Sequence, residues 1–159
     1  MIKFFDGGMG SMLNLAAGEL PEKLNISDPE RGFAVHDAYA RAGAQFITAN
    51  TFGANSLKYD NVDELVKAGV ALAKKAGKKV ALDLGPTGKL LKPMGDLEFE
   101  KAVELFGEVV RAGKDGSDVA IIETMSDMYE LKAAVLAVKE NSDLPIITSM
   151  IFDESGRLL

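Results

Sequence analysis

The sequence has no cysteine, one histidine, no basic cluster, and no apolar run near the roughly 20 residues a membrane-spanning helix needs. Without cysteine there are no disulfides, no thiolate metal ligands and no cysteine nucleophile. The single histidine, His36, falls inside a predicted helix and is read as structural; alone it builds no zinc site. The net charge of −6 makes nucleic acid and anionic membrane poor partners. No secretory leader is evident, because Met1-Ile2-Lys3-Phe4-Phe5 runs directly into Asp6, and a cytoplasmic protein is expected. What is present is 159 residues, 47% of them apolar. That is enough for one domain burying roughly 70% of its unfolded surface.

Apolar runs bounded by polar residues predict strands beginning near residues 3, 45, 79, 118 and 145. Helices are predicted between them. Ser27-Asp28-Pro29-Glu30 is a helix start, with either Ser27 capping and Glu30 returning, or Asp28 capping before Pro29. That helix runs to about Ala42, with Gly43 as its stop. A second covers about 61–76 with Leu65, Gly69, Leu72 and Ala76 on one face, and a third starts at Asp96. A fourth runs from about Asp127 to Lys139, with Glu130 placed to complete a cap with Asp127. Strands alternating with helices imply a parallel sheet with right-handed crossovers. Spacing leaves two architectures open: a doubly wound sheet, or the front of an eight-stranded barrel of about 250 residues.

The stretch from Asp118 to Met125 carries the functional signal. Val119-Ala120-Ile121-Ile122 reads as a strand buried on both faces, and Glu123 follows at its carboxyl end. In parallel α/β folds that edge is where ligands bind. Asp6 is placed the same way after the first apolar run, with Gly7-Gly8-Met9-Gly10 behind it. Glycines let backbone N–H groups approach a ligand closely. A dinucleotide fingerprint is incomplete here, since Leu13 stands where the third glycine belongs, and Asp6 would repel phosphate. Backbone amides for a carboxylate beside acids for an amine would suit the two ends of an amino acid. Asn50 and Thr51 leave the second strand at the same edge with an amide and a hydroxyl. The loop from Gly85 to about Asp96 is long enough to cover a ligand or dock a partner.

Five motifs occur in order: Asp6-Gly-Gly-Met-Gly10, Asn50-Thr-Phe-Gly-Ala-Asn55, Gly85-Pro-Thr-Gly88, Ile122-Glu-Thr-Met-Ser-Asp127 and Met150-Ile-Phe-Asp-Glu-Ser-Gly-Arg157. Together they resemble the homocysteine-binding domain of methionine synthases, most closely the cobalamin-dependent type, over essentially the whole chain. The resemblance implies an α/β fold, with parallel β/α units forming the first five strands of a TIM-type barrel in a single partial domain, 1–159. It implies methyl transfer to homocysteine sulfur, giving methionine, with methylcobalamin as donor in that type. It places Asp6 and Glu123 at the substrate amino group, and Gly7, Gly8 and Thr51 near its carboxylate. Asn50 and the 85–88 loop would line the same mouth.

The family binds zinc through three cysteines on later strands, and zinc keeps the homocysteine thiol ionised as the nucleophile. This sequence has none of those cysteines, so no cofactor is expected on the chain itself and the isolated chain is expected to be inactive. A part of a longer enzyme, half of a split enzyme, and a non-catalytic amino-acid-binding module all remain open. The expected partners are homocysteine and the remainder of a barrel, supplied in cis or by a second chain. Otherwise the chain is expected to self-associate through unpaired sheet edges.

Overall fold

A computed structural model describes residues 2–159. Its helices start and stop where local chemistry dictates. Helix α1 is the single turn Met9–Met12, and α2 is Leu24–Ser27, preceded by a 3-10 turn at Pro21–Lys23. Helix α3, Pro29–Ala42, is capped by Asp28, whose carboxylate accepts from Arg31 N–H, and it ends at Gly43 with φ 107°. Of the two caps the sequence allowed, Asp28 with Pro29 is the one formed. Ser27 instead donates its hydroxyl to the Lys23 carbonyl. Helix α4, Val62–Lys75, has Asp63 and Glu64 in its first turn and Lys74 and Lys75 in its last, matching the helix dipole at both ends. Helices α5, Phe99–Gly113, and α6, Met128–Asn141, follow.

Two local expectations are corrected. The third long helix begins at Phe99 rather than Asp96, because Leu91 and Leu97 form a bridge and Lys92 N–H donates to the Leu97 carbonyl. That pairing holds Asp96 in a loop. Asp127 does cap α6, accepting from Tyr129 N–H, but Glu130 does not reach back to complete the cap. Glu130 is buried and accepts from Thr87 instead.

Four strands, β1 Phe46–Thr48, β2 Lys79–Leu84, β3 Val119–Met125 and β4 Ile146–Met150, form one parallel sheet in the order β1-β2-β3-β4. The expected first strand is reduced to one parallel bridge, Phe5 to Phe46. Phe4 N–H takes the Gln45 side-chain oxygen rather than a ladder carbonyl, which shortens the pairing there. The segment still lies beside β1, so spatial order follows chain order throughout. A doubly wound sheet reverses its strand order at a switch point. This one does not, and α3 to α6 contact one another in sequence along it. The architecture is an arc of a β/α barrel.

Alternation along the strands separates two faces. Ile47, Val80, Leu82, Leu84, Ala120 and Ile122 point outward, all 2% exposed or less, into a core with the helices. Each large side chain so buried stabilises by roughly 1.5–3 kcal/mol. The inner face carries a smaller cluster of Phe46, Ala81 and Val119, packed with Phe5 and Ile121. Among the described residues, nothing covers the inner face of β4, where Ile147 is 41% exposed.

Candidate functional site

The carboxyl ends of β1, β2 and β3, with the turn after Phe5, enclose a cavity of about 230 Å³. This lies below the roughly 300–1,000 Å³ of pockets for larger ligands and fits a small metabolite. Asp6, Gly7, Gly8, Thr48, Asp83 and Glu123 line it, and Phe52 closes one side. Asp6 and Glu123, far apart in sequence, therefore meet in one cavity.

Each acid is positioned differently. Asp6 is gripped by Thr48: the backbone N–H donates to Oδ2 at 2.9 Å and the hydroxyl donates to Oδ1 at 2.6 Å. Burial raises the Asp6 pKa and the Thr48 hydrogen bonds partly offset that. Glu123 is aimed by a bulge. Ile122 pairs with Thr148 and Met125 with Met150, so β3 holds one residue more than β4 over this span. The extra residue is taken up at Thr124, with φ 62°, a region a β-branched side chain rarely enters. Such bulges cluster beside active sites, where they redirect a side chain. Burial raises the Glu123 pKa, and the nearby Asp6 raises it further.

Asp83 completes the group and was not anticipated. It is 5% exposed, and Oδ1 is buried without a hydrogen-bond partner. Burial, then Glu123, Asp6 and Glu22, push its pKa well above the ordinary carboxylate range. A signal for it was present. In Val80-Ala81-Leu82-Asp83-Leu84 the large residues alternate outward, so Asp83 shares the inner face with small Ala81. No Lys, Arg or His lines the cavity, and no ion pair among the described residues involves Asp6, Asp83 or Glu123.

Gly7 and Gly8 are where the sequence placed them, with their backbone against the cavity. A Cβ on Gly7 would lie 2.8 Å from the Tyr39 hydroxyl oxygen, so a side chain there would disturb the turn. Thr51 is not in the cavity wall. It is buried, and its hydroxyl clamps β2, donating to the Asp83 carbonyl at 2.9 Å and accepting from Asp83 N–H at 3.2 Å. The hydroxyl that faces the cavity is that of Thr48, three residues earlier. Asn50 borders the cavity, but its amide donates to the Pro21 carbonyl at 2.8 Å and to Asn25 Oδ1 at 2.9 Å, tying down the floor. The 85–88 loop acts from behind: a Cβ on Gly85 would lie 2.5 Å from the Phe52 ring, and Thr87 is fixed by Glu130.

Carboxylates without cations, beside backbone amides of a glycine turn, fit a small zwitterion with its ammonium at the acids. The chain is 27% identical to methionine synthase of Mycobacterium tuberculosis and 26% identical to that of Mycobacterium leprae, each across 97% of this chain. It spans 15% of the length of those relatives. In structure it resembles the homocysteine methyltransferase MmuM from Escherichia coli. The metallated form superposes with TM-score 0.84 at 22% identity, covering 99% of this chain and 65% of that one. The apo form gives 0.79 at 25% identity. Residues 3–159 match the sequence profile described as homocysteine S-methyltransferase, the family to which this chain belongs.

Proposed function

We propose that this chain is the homocysteine-binding part of a methionine synthase. One observation carries the reading: acids from three separate elements converge on a small cavity lined by no Lys, Arg or His. Asp6 and Glu123 take the substrate ammonium, and the Gly7 and Gly8 amides receive its carboxylate. Their task is orientation and charge pairing, which holds the sulfur end toward the open side of the arc. A cytoplasmic setting belongs to the same reading, as does completion by the remainder of a barrel.

The zinc that the family resemblance implies does not fit the residues present. There is no cysteine, and no group of three acids or histidines among the described residues has metal-holding geometry. No step is therefore assigned to zinc on this chain, and methyl donation, with methylcobalamin as the donor in the type it most resembles, falls to other parts of the enzyme. The lack of cysteine also supports a second reading, a non-catalytic amino-acid binder.

Calorimetric titration tests both. Homocysteine and methionine should bind the chain, whereas a nucleotide should not. Asp6→Asn and Glu123→Gln should each weaken binding by about 10- to 100-fold, the worth of a hydrogen bond to a charged group. Undiminished binding in both variants would remove the assignment. Methyl transfer from methylcobalamin with added zinc should stay at background for the chain alone; turnover would show that the ligand set was misjudged.

A further inference from the structure

Asp83 differs from the other two acids in its surroundings. Asp6 has two donors from Thr48, and Glu123 is only partly buried at the cavity rim. Asp83 lies deepest, with a buried oxygen that nothing donates to. The charged groups around it are all acidic: Asp6 from the turn after Phe5, Glu123 from β3, and Glu22 from the 3-10 turn. Glu22 is itself buried and held by Gly53 N–H and the Tyr59 hydroxyl, both at 2.6 Å; Lys58 Nζ lies near it, on the side of Gly53, without forming an ion pair. A buried carboxylate with neither a donor nor a counter-ion is strongly disfavoured.

A primary ammonium offers three N–H donors. The cavity offers three carboxyl groups, one from each of three elements. We propose that Asp83 is the third residue to contact the ligand's ammonium, that it carries a proton in the empty site, and that it gives this proton to solvent when the amino acid enters. This deepens, and rests on, the amino-acid reading above. The ammonium keeps its own three protons, one to each acid, and its charge supplies what the Asp83 carboxylate lacks when the site is empty. Uptake is then coupled to proton release, and a ligand without a cationic amine cannot trigger it.

Two measurements test this. The carboxyl 13C signal of Asp83, assigned by its loss in Asp83→Asn, reports its state in the empty chain and should be that of a neutral acid at neutral pH. Calorimetric titration with methionine, in buffers of different ionisation enthalpy, counts released protons; methionine has no thiol, so a counted proton is not from sulfur. The wild type should release a proton on binding, and its affinity should rise with pH, by up to about tenfold per unit, wherever Asp83 is protonated in the empty site and ionised in the complex. In Asp83→Asn the release should vanish and the affinity should flatten with pH. An ionised Asp83 in the empty chain, or equal proton release in both proteins, overturns the role of Asp83 while leaving the amino-acid site intact. Failure of the wild type to bind methionine or homocysteine overturns that site and this inference together.

Discussion

The two faces of the sheet use the same strands and have opposite characters. Outward, Ile47, Leu82 and Ile122 are fully buried beneath the helices. One residue along each strand, Thr48, Asp83 and Glu123 face a cavity of unpaired acids. A single step of alternation thus separates the layer that holds the fold together from the layer that carries the candidate site. The comparison teaches that the site is supported from behind: the inner face has little packing of its own and depends on the outer core for its geometry.

The largest expected effect is on the outer face. Leu82→Ala should cost about 2–5 kcal/mol in chemical denaturation, because the residue is fully enclosed. A cost below about 1 kcal/mol would mean that the outer layer is not the support described.

The helical layer has its own exception in His36, which is fully buried in α3 with neither ring nitrogen bonded. Burial lowers its pKa from 6.5 to about 4. A base whose folded pKa is depressed stabilises above its unfolded pKa and loses that stability as pH falls. Stability should therefore drop by about 3 kcal/mol between neutral pH and pH 4, less where carboxylates compensate. His36→Leu should flatten that part of the profile in urea melts at stepped pH. An unchanged slope would place the acid sensitivity elsewhere.

On the inner face the sign reverses. The folded pKa of Asp83 is raised, so its contribution is favourable at low pH and is lost as pH rises. Asp83→Asn should therefore stabilise the empty chain at neutral pH, on the order of 1–3 kcal/mol, with the gain disappearing in acid. Destabilisation at neutral pH would break the contrast between the faces.

The smallest effect on folding is expected at Ile147, which pairs with Ile121 and stands on the uncovered part of the inner face. Ile147→Lys should change stability by less than about 0.5 kcal/mol. It should, however, reduce self-association in sedimentation runs at micromolar concentration. A wild-type chain that is already a clean monomer would show that this face does not draw a second copy.

Much of this was legible because helix ends and buried strands announce themselves locally. Asp28, Pro29 and Gly43 bracket α3 by cap chemistry alone, and Val119 to Ile122 has the composition of a strand covered on both faces. Asp6 and Glu123 stood out because each ends an apolar run. Asp83 did not, because it lies inside one, and its importance depends on which way the alternation points. Thr51 stands out in the sequence by its position in an exit loop, yet the chain turns after β1, so it is Thr48 that faces the acids. The first strand shrank to a bridge because ladder formation depends on a neighbour's side chain, here Gln45, competing for a backbone donor. Glu130 was assigned to its own helix, and only the tertiary fold brings Thr87 within reach.

The extra residue at Thr124 has one more consequence. It acts as a phase slip, inverting the in–out rhythm for everything after it, which is how Met125 comes to be wholly enclosed so soon after the cavity-facing Glu123. Were the ladder regular through the same residues, Met125 would fall on the face of Glu123 and its sulfur would turn toward the acids. In this stretch the bulge, as much as the identity of the residues, decides which side chain reaches the cavity.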